Sequence, residues 1–157
     1  MFEVSNEVKL DFSDVRLVPR FSGIDSRSKV VMAREFHMPH SGDVVKGMGI
    51  IAANMDGVGT FAVAHCLAQH DVFTAIHKNY SVEELVDFYL EHDQYGRSRG
   101  AANSFYSMGI TDADYEKLRI VSKTPGVVID KICIDVANGY MDDFYEFIKR
   151  IRNDYPF

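Results

Sequence analysis

An α/β fold built from successive parallel βα units is what this sequence predicts, on three observations. Two short apolar runs, residues 50–53 and 72–76, each break off into polar residues: Asn54, Met55 and Asp56 after the first, His77, Lys78 and Asn79 after the second. The segment between them, 60–69, has helical spacing, with Phe61, Ala64 and Ala68 on one face. The same rhythm recurs twice more downstream. Strand, polar tip, helix and strand is the pattern of a parallel βαβ unit with a right-handed crossover. Two architectures share it, a small open doubly wound sheet and half of an eight-unit barrel. In both, chemistry collects at the polar residues just past the carboxyl ends of the strands.

Residues 1–47 do not follow this rhythm and read as an extended arm covering one end of the sheet, ahead of a single domain over 48–157. Within the arm, 29–32 and 34–37 could pair as a short hairpin, broken by Pro39, Ser41 and Gly42. From residue 50 the elements fall in order. The first strand leads to the helix from Thr60, and the second, 72–76, to a helix capped by Ser81 with Glu84 completing a capping box. Val82, Leu85, Val86 and Tyr89 form its apolar stripe. The polar stretch 89–100 reads as a solvated loop. A third strand is expected over 101–106, then a helix capped by Thr111 and ended by Pro125-Gly126. The strand 131–136 precedes the last helix, 141–152, whose inner stripe is Phe144, Phe147, Ile148 and Ile151. Glu146 and Arg150 stand four apart as an ion pair on its outer side.

Composition removes several function classes. The 157 residues are 46% hydrophobic, enough for one ordinary core, and carry a net charge of −6. That charge offers no basic field for nucleic acid or an anionic membrane. No apolar run approaches the roughly 20 residues of a membrane span, and the amino terminus lacks the pattern of a secretory signal. Cys66 and Cys133, both in apolar contexts, read as a buried reduced pair. These features are those of a cytoplasmic protein. His37-x-x-His40 has metal-like spacing, but it lies beside Pro39 and no further ligand completes a set.

The strand tips supply the candidate site: Asn54 and Asp56, His77 and Lys78, Ser107 and Gly109, Asp135 and Asn138. Asp56 and Asn138 also read as loop or cap residues, and His77 equally as a core histidine. Lys78 is a cation directly after a buried strand, well placed to meet an anion. Asp135, inside Ile-Cys-Ile-Asp-Val-Ala, would be a desolvated carboxylate in need of a partner. Familiar nucleotide and acyl-transfer signatures are missing. Gly57-Val-Gly59 has only the first two glycines of a dinucleotide fingerprint, and there is neither a P-loop nor a G-x-S-x-G elbow. A thiol buried in a helix or strand has a raised pKa, so neither cysteine reads as an activated nucleophile.

The stretches IIAANMDGVGTF, FTAIHKNYS and ICIDVANGY, in that order, together with DFSDVRLVPR and DSRSKV upstream, resemble the amino-terminal half of the IMP dehydrogenase/GMP reductase family, on its GMP reductase side. The resemblance runs over about residues 10–156, without the regulatory insert usual in IMP dehydrogenases after the second strand. It implies the first four βα units of a partial (β/α)8 TIM barrel, in a cytoplasmic enzyme of purine salvage. It further implies NADPH-dependent reductive deamination of GMP to IMP and ammonia, through a cysteine that attacks the purine. Potassium is possible in full-length members, and a homotetramer is usual.

By the same resemblance Ser26 and Arg27 belong to the adenosine end of the NADPH site. Lys78 belongs to the nicotinamide region, and Asp135, Val136 and Ala137 to the segment that holds the adjoining ribose. Gly57 stands where the family usually has threonine, and Asn79 where GMP reductases usually have histidine. The catalytic cysteine loop, after the sixth strand, lies outside these residues, so no catalytic residue is assigned in this chain. The expectation is an amino-terminal portion, inactive by itself, whose partner is the missing carboxy-terminal half or a full-length homologue. A non-catalytic half-barrel that binds nucleotide or docks on such a relative is the alternative, and an IMP dehydrogenase-like fragment the nearest enzymatic rival. A half-barrel would leave edge strands unpaired and expose inward-facing residues such as Ile50, Ile76 and Ile134.

Overall fold

The computed structural model describes residues 7–94 and 96–156. The chain divides into two compact units, Met1–Val31 and Met32–Phe157. In the first, Asp11 caps a single 3-10 turn, Phe12–Asp14, and Ser26 caps another, Arg27–Lys29. Its described residues are all exposed.

The second unit opens with a hairpin, β1 (Arg34–His37) antiparallel to β2 (Val44–Gly47). The sequence placed residues 29–32 opposite 34–37 instead. Lys29 is already committed to the Ser26-capped turn, and Pro39, Ser41 and Gly42 do not break the hairpin but reverse it. Gly42 takes φ +79°, a conformation that suits glycine, and its N–H donates to the Met38 carbonyl at 2.9 Å. The hairpin lies within the second compact unit, Met32–Phe157. At its end Gly47 lies so close to the Asp71 carbonyl and the Phe73 ring that a Cβ would stand 2.7 Å from both. Met48 N–H donates to Asp71 O at 2.7 Å.

Then come β3 (Ile51–Ala52), α1 (Phe61–Ala68), β4 (Phe73–Ile76) and α2 (Val82–Leu90). A small ribbon follows, β5 (His92–Asp93) with β6 (Gly96–Arg97), and a single helical turn α3 (Arg99–Ala102). The last elements are β7 (Ser104–Met108), α4 (Asp112–Lys123), β8 (Ile132–Ile134) and α5 (Asp142–Asp154). The main sheet is wholly parallel in the order β3-β4-β7-β8. Successive units thus lie side by side, as the sequence rhythm predicted.

Two expectations are corrected between residues 89 and 108. The third strand starts at Ser104, because residues 99–102 close a helical turn first. The supposed solvated loop is organised by Arg97, whose guanidinium donates to the Val128 and Ala101 carbonyls at 2.7 and 3.0 Å and pairs with Asp130 at 3.1 Å. Ser98 and Gly100 are buried there. On α5 the expected Glu146–Arg150 pair does not form. Glu146 bonds Lys149, while Arg150 reaches Asp112 at 3.0 Å and lies over the Tyr115 ring, which fastens α5 to α4.

The core sits between the helices and one face of the sheet. Ile76, Tyr106 and Met108 point from the strands into Leu85, Phe88, Tyr89, Leu118, Val121, Phe147 and Ile151. Ile132 and Ile134 pack against the same cluster. By strand alternation, Ile51, Phe73, Ala75, Phe105, Ser107 and Cys133 occupy the opposite face. Ile76 and Ile134 are therefore not inward-facing, and Ile50 lies outside the strands. Strand β4 is buried on both faces, so its apolar run carried no sign of which side met the helices. No helix among the described residues is long and apolar enough to cross a membrane.

Candidate functional site at the carboxyl ends of the strands

Parallel pairing puts the residues after β3, β4, β7 and β8 at one end of the sheet. After β3 the loop 53–60 folds back over β4. Gly59 O accepts from the His77 N–H at 2.8 Å. A Cβ on Gly59 would stand 2.3 Å from the Ala75 carbonyl oxygen and 2.9 Å from His77 N. Only glycine permits that backbone approach. Gly57, two residues earlier, faces open space. Thr60 then caps α1, its hydroxyl accepting from Val63 N at 3.2 Å.

The second loop is tied to the first. Asn79 Nδ2 donates to Asp56 Oδ1 at 2.8 Å, and Asn79 N–H donates to His77 Nδ1 at 3.3 Å. The His77 ring stacks on Tyr80 with centroids 4.1 Å apart, Tyr80 on Phe61 at 3.8 Å, and Phe61 on Phe88 at 4.3 Å. His77 is thus not a core histidine: it is half-buried and ends an aromatic stack that shapes the loop. Lys78 is exposed, and its ammonium makes no hydrogen bond to a described residue.

Beyond β7, Gly109 and Thr111 lead into α4. Burial pushes the Asp114 carboxyl up, but the Thr111 hydroxyl, the Thr111 and Gly109 backbone and the nearby Lys78 charge outweigh it, so its net shift is downward. Ser107 stands opposite Cys133 in the register. Its buried Oγ finds no well-formed hydrogen bond among the described residues, a thiol being a poor partner. Burial pushes the Cys133 thiol up, more than Ser107 lowers it. Cys133 is thus unactivated, as expected. Cys66, expected buried, is exposed on α1.

Asp135 is the main correction. Strand β8 stops at Ile134, one residue short of it, and Asp135 is exposed rather than desolvated inside a strand. Its backbone N–H donates to Met108 O at 2.8 Å, which fixes the turn, while its carboxylate makes no hydrogen bond to a described residue. Val136 is half-buried and Ala137 exposed. Asn138 Oδ1 accepts from Tyr140 N at 3.0 Å, the loop role foreseen for it.

Lys78 and the 135–137 segment therefore share one end of the sheet with β7 between them, about 10 Å apart at two strand spacings. A cation and a carboxylate, neither hydrogen-bonded to a described residue, fit a polar ligand carrying anionic and hydroxyl groups. Ser26 and Arg27 lie in the first unit, where Ser26 Oγ bonds Ser28 Oγ at 2.8 Å and Arg27 is exposed. A groove of about 270 Å³ lies elsewhere, among Met38, Val45, Phe105, Ile134, Ile148 and Tyr155, and none of the strand-tip polar residues lines it. Local pattern missed Gly59 as a backbone contact and Lys117, which reaches the second loop from α4.

A four-unit parallel α/β sheet with polar side chains gathered at the strand carboxyl ends defines the class. The chain belongs to the IMP dehydrogenase / GMP reductase domain family, which matches residues 9–157. Among curated relatives, the GMP reductase of Aliivibrio salmonicida (strain LFI1238) is 41% identical over 154 residues, 98% of this chain and 43% of that protein. The GMP reductase of Vibrio cholerae serotype O1 (strain M66-2) is 40% identical over 153 residues, again 98% of this chain and 43% of that protein. The chain thus spans less than half the length of the curated relatives it matches. The crystal structure of inosine 5' monophosphate dehydrogenase from Legionella pneumophila superposes with a TM-score of 0.67 at 22% identity, over 90% of this chain and 40% of that one. That likeness shows the shared fold.

Proposed function

We propose that this chain supplies the first four βα units of a GMP reductase-type (β/α)8 barrel, which converts GMP to IMP and ammonia with NADPH. The observation that carries the reading is the pair Lys78 and Asp135, both exposed and with side chains not hydrogen-bonded to a described residue, at the carboxyl end of one parallel sheet. NADPH supplies the hydride. Lys78 meets the nicotinamide region, and the Asp135 carboxylate accepts from ribose hydroxyls, with Val136 and Ala137 shaping the wall. Ser26 and Arg27 serve the adenosine end. Neither cysteine is the nucleophile, since Cys133 has a raised thiol pKa and Cys66 lies on a helix away from the strand tips. The attacking cysteine comes from the remainder of a barrel, in a cytoplasmic enzyme that associates as a homo-oligomer, a tetramer in the family, with potassium a possible further ligand.

GMP reductase is favoured over IMP dehydrogenase because curated relatives of that name reach about 40% identity, against 22% for the dehydrogenase structure. The 43% share of those relatives favours a second reading, a non-catalytic half that binds nucleotide or docks on a complete homologue.

The test is NADPH binding by fluorescence titration, combined with intact mass of the protein from its source. Saturable binding that weakens about tenfold in Lys78→Ala, near 1.4 kcal/mol, is expected. A native mass near twice 17.8 kDa with GMP-dependent NADPH oxidation supports the enzyme, and 17.8 kDa with binding but no turnover supports the second reading. Absence of NADPH binding at either length, or GMP turnover abolished by Cys66→Ala or Cys133→Ala, overturns the assignment.

A further inference from the structure

Lys117 stands one turn into α4, three residues after the capping Asp114 and beside the buried Leu118. An exposed lysine on a surface helix ordinarily leaves its ammonium in water. This one is half-buried, and its hydrogen bonds go to two main-chain acceptors outside its own helix, the Lys78 carbonyl at 2.9 Å and the Tyr80 carbonyl. Burial lowers its pKa against the opposing charges of Asp114 and Glu84.

The two acceptors flank Asn79 in the loop that presents Lys78. Every other side chain of that loop is already held: His77 and Tyr80 stack on each other, and Asn79 bonds Asp56. What remains is the direction in which the Lys78 side chain leaves the backbone, and Lys117 holds the peptide that follows Lys78 and, two residues on, the one that follows Tyr80. Lysine suits the task, because one ammonium carries three donors and can bridge two carbonyls with charge assistance, which a neutral single donor cannot.

We propose that Lys117 is a positioning residue for cofactor binding: by pinning the Lys78 and Tyr80 carbonyls it aims the Lys78 ammonium at the nicotinamide end of NADPH. This rests on the reading of Lys78 given above. Lys117 touches no ligand itself and acts through the loop.

A double-mutant cycle on the protein at its natural length tests it, with NADPH affinity as the readout. Lys117→Gln keeps the helix but replaces the ammonium with a neutral amide on a shorter stem, and should weaken NADPH binding about tenfold in the presence of Lys78. In a Lys78→Ala background the same change should cost less than about twofold, because there is no ammonium left to aim. Lys117→Arg, which again offers a charged multi-donor group, should recover most of the affinity. Thermal midpoints of all variants separate this from unfolding. Equal losses in both backgrounds, or an unchanged affinity in Lys117→Gln, overturn the positioning role while a deficit in Lys78→Ala leaves the site reading intact. No binding by the unmutated protein, or no effect of Lys78→Ala, overturns both.

Discussion

Gly57 and Gly59 share one loop and have opposite tolerances. Gly59 lets the loop backbone lie on the end of β4, with backbone atoms as the only neighbours that could yield. Gly59→Ala should lower stability by about 1–3 kcal/mol, the cost of overpacking against atoms that cannot move aside. Gly57→Thr, the residue usual in the family, enters open space and should stay within about 0.5 kcal/mol. Urea melts of the two variants decide it, and equal midpoints would refute the geometry. The sequence showed two glycines two apart; only the approach of a strand 16 residues on, at Ala75, tells them apart. Asp135 teaches the converse. Its apolar flanks made it look like a carboxylate inside a strand, yet one residue of strand length moves it from desolvated to solvent-facing, and strand ends are the least fixed feature of a local pattern.

Helix starts, by contrast, were legible, because a capping box is local chemistry. Ser81 with Glu84 and the cap at Thr111 formed as read, the latter completed by Asp114. Helix α4 carries the clearest test. Asp114 Oδ2 accepts from Thr111 N–H at 3.2 Å and from its hydroxyl at 2.6 Å, while the hydroxyl accepts from Asp114 N at 3.1 Å. Thr111→Ala should cost about 1 kcal/mol. Asp114 has a lowered carboxyl pKa, so the folded chain binds its proton more weakly than the unfolded one. Its stabilisation is then full above the ordinary value of 3.8 and is lost as pH falls through the lowered native value. Melting curves of wild type and Asp114→Asn should differ at pH 6 and draw together as pH falls below 3.8; a constant gap would show the charge to be irrelevant. The segment 89–100 was illegible for the opposite reason. Arg97 organises it through Val128 and Asp130, 31 and 33 residues away, and no nearby residue announces such a contact.

At the scale of the whole sheet, β3 and β8 are the outer strands of an all-parallel array. Parallel sheets normally have both faces and both edges covered, in a barrel by closure on themselves. Here the helix-side face is filled, yet Ile51 on edge strand β3 is 53% exposed, and the apolar groove beside β8 is lined by Phe105, Ile132, Ile134 and Ile148. Unpaired N–H and C=O groups next to apolar surface recruit another strand. The 157-residue chain alone should therefore self-associate at micromolar concentration and bind a hydrophobic dye. Ile51→Lys places a charge on the β3 edge without removing a buried contact, so stability should change by no more than about 0.5 kcal/mol. Association should fall all the same, because an inward charge on an edge strand must be desolvated when a second strand pairs with it. Sedimentation velocity across a hundredfold concentration range compares the two. If Ile51→Lys associates as strongly as wild type, the open sheet is not the sticking surface. If it runs as a monomer with an unchanged melting midpoint, the β3 edge is the sticking surface.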